Sequence, residues 1–242
     1  MRFRLITWNM HKGIGGIDRR YKPERIIQTL KHYQPDIVHL QEVTDNVPRT
    51  HGHRQVDLVG DALHLRYRAY QPNVRLSRGD YGNAILCRFP LYDVRDIDLK
   101  VPFKKRRRAQ VARCRLRFEN DHTRTIILVN LHLGLAEFER RIQLRRIFEC
   151  DPIKRAHHDT PLIIAGDIND VLGRAGRQML EPIGFRNGCD AIKTFPAFLP
   201  VRALDQIHFR GKLELNRCAV SQAPLASRAS DHLPLIADFE FS

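Results

Sequence analysis

The chain has 242 residues, of which 43% are hydrophobic, and this suits one large domain or two small ones with a sizeable core. Forty-one Lys and Arg residues stand against 27 Asp and Glu residues, so the formal net charge is +14 and the pI is about 10.1. This excess favours a polyanionic partner, namely nucleic acid, an anionic membrane surface or a phosphorylated small molecule, although a solvated basic surface gives the same composition. The sequence has no apolar run long enough to span a bilayer and no signal-peptide pattern, which predicts a cytoplasmic protein.

The cysteines show no regular spacing. They are five in number and widely separated, without a Cys-x-x-Cys pair or the spacing of a disulfide framework. This pattern is typical of a reducing compartment. We therefore expect small core residues or bystanders, not cross-links, at Cys87, Cys114, Cys150, Cys189 and Cys218.

Helix and strand patterns follow one another along the chain. Pro23 and Glu24 open a helical pattern with Ile26, Ile27 and Leu30 on one side. The patterns predict helices over residues 23–32, 55–66 and 137–150, and strands over residues 3–8, 37–40, 67–73, 84–87, 92–98, 108–118, 126–129, 162–165, 204–209, 213–220 and 235–241. Because no linker, repeat or low-complexity segment divides the chain, we expect residues 1–242 to form one α/β domain in which helices cover packed sheets.

Residues 108–118 alternate as an extended strand with one apolar face and one cationic face. The apolar face carries Ala112, Cys114, Leu116 and Phe118, and the cationic face carries Arg113, Arg115 and Arg117. Five consecutive cations, Lys104-Lys105-Arg106-Arg107-Arg108, lead into the strand. This basic segment predicts contact with a phosphate backbone without reading of sequence, although a solvated loop of like charges has the same appearance.

Polar side chains crowd the ends of several apolar strands, where loops can gather catalytic groups around one cleft. The segments are Trp8-Asn9, Gln41-Glu42, Asn130-Leu131-His132 and Gly166-Asp167-Ile168-Asn169, followed later by Asp205-Gln206-Ile207 and Ser230-Asp231-His232. Each alone has a structural interpretation, as turn residues, exposed charges or a satisfied core imidazole. Together they combine hard oxygen ligands, which suit Mg²⁺, Mn²⁺ or Ca²⁺, with histidines for proton transfer and phosphate binding. This inventory predicts a metal-dependent phosphoesterase.

In their order along the chain, these segments resemble the motifs of the endonuclease/exonuclease/phosphatase family, which includes deoxyribonuclease I. The resemblance covers essentially the whole chain. It implies a four-layered α/β (α+β) sandwich, in which two mainly antiparallel sheets pack face to face with helices outside. The site is then expected at one end of the sandwich.

The resemblance also implies a metal site and a water-activating group. Glu42 is expected to be the principal ligand of Mg²⁺ or Mn²⁺, with Asn9 and Asp231 completing the site. Asp167 is expected to orient or deprotonate the attacking water, and Asn169 to donate a hydrogen bond to the phosphate.

The histidines receive roles from the same resemblance. His232, held by Asp205, is expected to contact a non-bridging phosphate oxygen or to act as the base. His132 is expected to bind the phosphate or to assist the leaving group. Which group takes the proton of the attacking water is left open. In-line attack of water then inverts the configuration at phosphorus without a covalent intermediate.

Two positions depart from the exonuclease III-like branch of the family. His11 lies where that branch has an aspartate that aids metal binding, so this position offers no carboxylate ligand, and His11 is a candidate substrate-binding residue. His132 lies where that branch has a tyrosine. Both differences point away from apurinic endonucleases. Tyr81-Gly82-Asn83-Ala84-Ile85-Leu86 and Thr194-Phe195-Pro196 resemble small bacterial members of the family, and Arg108 is the nearest candidate for a phosphate-contacting arginine.

The preferred hypothesis is a nuclease or DNA-end-processing phosphodiesterase that binds DNA without sequence specificity. The alternative is a phospholipid or phosphoinositide phosphoesterase at the inner membrane surface, which the positive charge also favours. A third hypothesis is a catalytically silent nucleic-acid-binding module on the same scaffold. We expect a monomer without an obligate protein partner.

Overall fold

Twelve strands and five α-helices make up the described part of the chain, residues 2–117 and 123–242 of a computed structural model. The strands are β1 (Arg2–Asn9), β2 (Ile37–Asp45), β3 (Tyr67–Arg75), β4 (Asp80–Cys87), β5 (Leu91–Asp98), β6 (Arg108–Arg117), β7 (Thr123–His132), β8 (Leu162–Asp167), β9 (Arg186–Asn187), β10 (Asp205–Arg210), β11 (Glu214–Val220) and β12 (Leu235–Glu240). The helices are α1 (Pro23–Tyr33), α2 (Gln55–Ala62), α3 (Glu137–Glu149), α4 (Asp151–Lys154) and α5 (Ala226–Ala229).

The predicted helices and strands are confirmed in type, and their ends differ by a few residues. Helix α2 ends at Ala62 instead of residue 66, because His64 adopts a left-handed backbone with φ of 56°. The sequence patterns missed the short β9, α4 and α5, which offer too few residues for a periodic signal. Phe118, predicted on the apolar face of β6, lies outside the described residues.

Two six-stranded sheets carry the fold. Their strand orders are β11-β12-β1-β2-β4-β3 and β5-β6-β7-β8-β10-β9. Among the described pairings, β1 with β2 and β7 with β8 are parallel, and the others are antiparallel. Helix α1 connects the first parallel pair, and α3 with α4 connects the second. The carboxyl ends of β1, β2, β7 and β8 therefore each present a loop to the same end of the molecule.

The sheets pack face to face, with helices on the outer faces. Ala112, Cys114 and Leu116 of β6 lie in the core between the sheets, as the alternation predicted. Ile26 and Leu30 of α1 cover the first sheet together with α2, and a separate core lies between α3 and the second sheet. The predicted four-layered sandwich is confirmed. No helix in residues 2–117 and 123–242 is long and apolar enough to cross a membrane.

The expectation that the cysteines are unpaired is wrong for two of them. Cys189 and Cys218 form a disulfide with a Cα–Cα distance of 5.6 Å, and the bond ties β11 to the segment that leads into β10. Linear spacing did not reveal the pair because the two residues meet only through the tertiary fold. Cys87 and Cys114 are buried thiols, as expected for core residues. Since disulfides persist in oxidising compartments, the cysteines no longer support a cytoplasmic location, which stays a prediction.

Candidate metal and phosphate site

One cleft of about 440 Å³ lies at the end of the sandwich where the parallel strands finish. Eight of the ten predicted site residues line it: Asn9, His11, Glu42, His132, Asp167, Asn169, Asp231 and His232. Asp205 lies directly behind His232, and Arg108 has a different environment. The fold therefore brings together residues that are up to 223 positions apart (232 − 9 = 223).

Asp167 occupies the centre of the cleft. It is the last residue of β8 and lies opposite His132 in the parallel pairing with β7. Its Oδ2 accepts a hydrogen bond of 3.0 Å from Nδ2 of Asn9 and lies 3.3 Å from Nε2 of His132. Its Oδ1 accepts the backbone N–H of Asn169 at 3.1 Å. Burial, reinforced by the nearby charge of Asp205, raises the pKa of Asp167 to about 6, close to the optimum for a base at neutral pH.

A buried carboxylate supports His232 from behind. Nδ1 of His232 donates to Oδ2 of Asp205 at 2.7 Å, and the same oxygen accepts the hydroxyl of Thr194 at 2.6 Å. Nε2 of His232 is thereby left facing Asp167, at 3.9 Å. Burial alone lowers the pKa of His232, but the charges of Asp205 and Asp167 outweigh it and raise the pKa to about 10. The imidazole is therefore a cation at neutral pH, suited to donating a proton or hydrogen bond to an anion.

His132 has the opposite electrostatic environment. It is buried, and burial together with the positive charges of Arg107 and His232 lowers its pKa well below the ordinary value. The ring is therefore neutral. The two histidines thus present different charge states to the same carboxylate, because Asp205 stabilises only the charge on His232.

The oxygen-rich side of the cleft fits a divalent cation. Glu42 lies at a β-bulge where the pairing of β2 with β4 shifts, and its backbone φ is 56°. Its carboxylate is mostly buried and forms an ion pair with the ammonium group of Lys12. Burial raises the pKa of Glu42, but the charge and hydrogen bond of Lys12, together with the charges of Lys105 and His11, outweigh burial and lower the net pKa. A cation is thus already required at this carboxylate, and Asn9 and Asp231 provide further oxygen atoms in the same cleft.

A second grouping, Asp167, Asp205 and His232, places three possible ligand atoms within 4.8 Å of one another. We consider it a less suitable metal site. Asp205 and Nδ1 of His232 are already joined by a hydrogen bond, and a protonated imidazole has no lone pair to offer a metal. By donor chemistry, the Glu42 side of the cleft is therefore the better fit for a divalent cation.

The predicted substrate-binding residues have different outcomes. His11 lines the cleft, and its Nδ1 lies 3.8 Å from the carboxylate of Asp231. Arg108 lies opposite Asp98 of β5 and does not line the cleft, whereas Arg107 does; a phosphate contact of Arg108 stays a prediction. Arg107 is buried, its Nε has no hydrogen-bond partner, and the carboxylates of Asp167 and Glu42 act on it electrostatically. Adjacent side chains of an extended chain point to opposite sides, so only one of the two arginines can enter the cleft.

The cationic face of β6 is also directed away from the cleft. Arg113 pairs with Asp93 at 3.3 Å, and the guanidinium of Arg115 lies 5.2 Å from the ring centroid of Tyr92. At about 3.4 Å per residue, Arg113 is roughly 17 Å along the strand from Arg108, which begins β6 at the catalytic end. Arg113 and Arg115 therefore contact neighbours on β5 and do not extend the cleft.

Sequence reasoning missed several residues that shape the site. Gln41 and Asn130 belong to the sequence motifs but lie below the cleft. There Nε2 of Gln41 donates a hydrogen bond of 2.8 Å to Oδ1 of Asn130, and this bond joins the two sheets. Lys12, Thr194 and Arg202 received no role. Lys12 had a signal in its position just after Asn9, and Thr194 lay in a family-like segment, whereas Arg202 had none.

Comparisons with known proteins agree with this geometry. The chain matches the family model described as "Endonuclease/Exonuclease/phosphatase family" over residues 6–232. The uncharacterized protein YbhP of Escherichia coli K12 is 28% identical over 257 aligned positions, which cover 98% of this chain and 95% of that protein. An endonuclease/exonuclease/phosphatase structure from Beutenbergia cavernae has a TM-score of 0.82 at 18% identity, covering 100% of this chain and 72% of that chain.

Two further solved structures have the same fold. A humanized D. rerio TDP2 has a TM-score of 0.71 at 19% identity, with 99% of each chain covered. The mannosyl-6-phosphatase Bt3783 of Bacteroides thetaiotaomicron has a TM-score of 0.73 at 17% identity, covering 99% of this chain and 100% of that chain. With two six-stranded sheets, the acidic and histidine cluster at their shared end, and a family match over nearly the whole sequence, the chain belongs to the endonuclease/exonuclease/phosphatase family of phosphoesterases.

Proposed function

We propose that the protein is a divalent-metal-dependent phosphodiesterase that hydrolyses its substrate by in-line attack of water. One observation carries the proposal. The buried carboxylate of Asp167 lies between a neutral histidine, 3.3 Å away, and a histidine that Asp205 keeps charged, 3.9 Å away. An acceptor for a water proton and a cationic donor for a phosphate oxygen are thus held side by side.

The metal, Mg²⁺ or Mn²⁺, would be held by Glu42, Asn9 and Asp231, and when bound it would neutralise phosphate charge and polarise the phosphorus–oxygen bonds. Asn9 also links this side of the cleft to the other, since its Nδ2 donates to Asp167 while its Oδ1 accepts the N–H of His11 at 3.1 Å. The orientation of the catalytic carboxylate therefore depends on the same residue that provides a ligand oxygen.

The remaining side chains divide the reaction between them. Asp167, with its raised pKa, holds the attacking water and accepts its proton. The charged His232 donates to a non-bridging oxygen, and the buried guanidinium of Arg107 supplies a second cation on the phosphate. Neutral His132 and the amide of Asn169 fix the phosphate on the other side. Water displaces the leaving group directly; this group departs as an alkoxide and takes up a proton from solvent. The configuration at phosphorus is therefore inverted, and no side chain becomes esterified.

The shape of the cleft favours a diester over a monoester. A depression of about 560 Å³ adjoins the cleft across Val171 and Arg202, and another of about 200 Å³ adjoins it across Phe195 and Asp231. A phosphate in the centre would therefore have room for an organic group on each side.

DNA as substrate remains a prediction from the net charge. Lys104 and Lys105, exposed beside the cleft, support it, as does the resemblance of the fold to TDP2. A lipid phosphodiester is favoured by a different observation, namely the exposed apolar side chains around the cleft.

The test is a panel of phosphodiesters assayed with each metal: duplex and single-stranded DNA, RNA, tyrosyl-DNA, phospholipid vesicles and a soluble aryl diester. We expect hydrolysis of at least one diester with Mg²⁺ or Mn²⁺, its loss with chelator, and loss of nearly all turnover in Glu42→Gln. Calorimetry should show weakened Mg²⁺ binding in Glu42→Gln, and Asp45→Asn, three residues further along β2, serves as the matched control. A folded, metal-loaded protein inactive on every diester would refute the proposal.

A further inference from the structure

Exposed apolar side chains are concentrated at the catalytic end of the molecule. Among residues 2–117 and 123–242, every large apolar side chain that is more than half exposed lies in a loop or first helical turn around the cleft. They include Phe103, which is fully exposed, and Leu135, Leu172, Phe198 and Leu199 at 58% exposure or more. We call the five segments that carry them, residues 14–19, 99–107, 133–138, 168–175 and 195–202, the catalytic rim.

The strand registers place these segments together. Ala109, at the start of β6, pairs with Leu131 near the end of β7, so the loop that holds Phe103 lies beside the loop that holds Leu135. Asp205, at the start of β10, pairs with Asp167 at the end of β8, so residues 195–202 lie beside residues 168–175. The apolar side chains therefore surround the opening of the cleft and are not scattered over the surface.

Cations are interleaved with these apolar groups. The ammonium of Lys104 lies 5.3 Å from the ring centroid of Phe138, and that of Lys105 lies 5.6 Å from the ring centroid of Tyr81. Both lysines are exposed, as is Arg202 at the edge of the cleft. The rim thus presents hydrocarbon and positive charge in one layer.

This combination suits one class of partner. A nucleic-acid backbone offers phosphates to the lysines but no apolar phase for Phe103, Leu135 or Leu199, which can donate and accept no hydrogen bonds. An anionic bilayer takes both, since apolar side chains enter the boundary of the acyl chains while Lys and Arg remain among the headgroups. The net charge of +14 complements such a surface.

We propose that the catalytic rim docks on an anionic phospholipid bilayer, so that the cleft opens onto the headgroups and receives their phosphodiester. The identity of the substrate rests on the proposed function, whereas docking does not. Phe103 and Leu199 enter the bilayer from opposite sides of the cleft, and Lys104 and Lys105 hold the loop against the charged headgroups.

The experiment is co-sedimentation of the full chain with vesicles of phosphatidylcholine, alone or with about 30% phosphatidylglycerol. We expect binding to the anionic vesicles only, weakened about tenfold or more in Phe103→Ser/Leu199→Ser. Ile183→Ser, which removes an exposed apolar side chain near Arg210 at the opposite end of β10, should bind as the unaltered chain does. Phe103→Trp should show a blue-shifted emission on anionic vesicles, since the one native tryptophan, Trp8, is buried.

Absence of vesicle binding would overturn the proposal, as would equal weakening in the rim and Ile183 variants. A rim variant that loses DNA binding but keeps vesicle binding would also overturn it and identify nucleic acid as the partner of this surface. Failure of the two proposals can be told apart with a soluble aryl diester. Hydrolysis of that diester without vesicle binding refutes docking alone, whereas vesicle binding without hydrolysis of any diester refutes the proposed chemistry alone.

Discussion

Asp205→Asn should remove the positive charge of the His232 imidazole at neutral pH without disturbing the fold. Asparagine has the size of aspartate, and its Oδ1 can still accept from Nδ1 of His232 and from the hydroxyl of Thr194, which lie 2.7 and 2.6 Å from the native carboxylate oxygen. What disappears is the negative charge. Burial lowers the pKa of His232, and Asp205 is the foremost of the groups that raise it.

The magnitude follows from the two pKa values. In the native protein the pKa of His232 is raised to about 10, which is about three pH units above pH 7. At pH 7 the charged imidazole is therefore favoured over the neutral one by about 4 kcal/mol. Without the charge of Asp205, only the charges of Asp167 and Asp231 still oppose the effect of burial, and the pKa of His232 should fall by about three pH units or more. The ring then becomes neutral at pH 7 to 8 and ceases to be a charged donor to the phosphate. Loss of such a donor costs about 10²- to 10³-fold in kcat.

The protonation state of His232 and the turnover of the enzyme can both be measured. The protonation of His232 is followed by NMR of the imidazole nitrogens in chelator-treated protein, with the signal assigned from its absence in His232→Gln. Turnover is measured in parallel on a diester with Mg²⁺. Asp238→Asn is the control, since it removes a carboxylate that pairs with Arg4 at 2.6 Å on the far part of β12. If His232 in Asp205→Asn still titrated near its native pKa, or if turnover survived with the ring neutral, the assigned role of this pair would be refuted.

Three further outcomes follow from the structure. Arg107→Ala should lower kcat/KM about 10- to 150-fold, as expected for a lost charged hydrogen bond, while Arg108→Ala should change it little; equal losses would return the phosphate contact to Arg108. Burial lowers the pKa of His39 and of His208 to about 4 each. Between pH 6.5 and 4 these two histidines are therefore protonated in the unfolded chain but neutral in the folded chain. Stability should therefore fall as the pH drops through that window, by up to about 3 kcal/mol per histidine, and urea unfolding should show a smaller fall in His208→Gln. Reducing the disulfide, which closes a loop with a sequence separation of 29, should lower the free energy of unfolding by about 3 to 4 kcal/mol, and an unchanged calorimetric midpoint after reduction would contradict that.

The fold was largely predictable because its signals are local or repeat at a fixed period. Pro23 and the spacing of Ile26 and Leu30 mark α1, and the alternation in β6 marks its buried face. Elements of two to five residues carry no period, and so β9, α4, α5 and the π-helical turn Gly176–Leu180 were not predicted. The disulfide was missed for a related reason, since two cysteines in separate segments become neighbours only when the sheets pack.

Most of the candidate site was predictable because its residues end apolar strands. What the sequence could not supply was the electrostatic difference between its two histidines. His132 is the last residue of β7 and His232 precedes β12, yet the first is neutral and the second is charged, because only His232 has a buried carboxylate behind it. The position of Lys12 close to Asn9 was a signal, but its ion pair with Glu42 could not be predicted, because a left-handed backbone with φ of 63° turns the chain back towards the cleft.

The net charge of the chain identifies a partner only when the positions of the individual charged side chains are known. An excess of +14 predicts a polyanionic partner whether that partner is DNA or a membrane. Many of the arginines are paired at the surface, as Arg4 is with Asp238 and Arg113 with Asp93, and such pairs contribute little to a long-range field. Lys104 and Lys105, in contrast, lie exposed beside the cleft and next to Phe103. Since the charges alone are equally suited to both partners, the apolar side chains among them are what favours the proposed docking on a surface with a hydrocarbon phase.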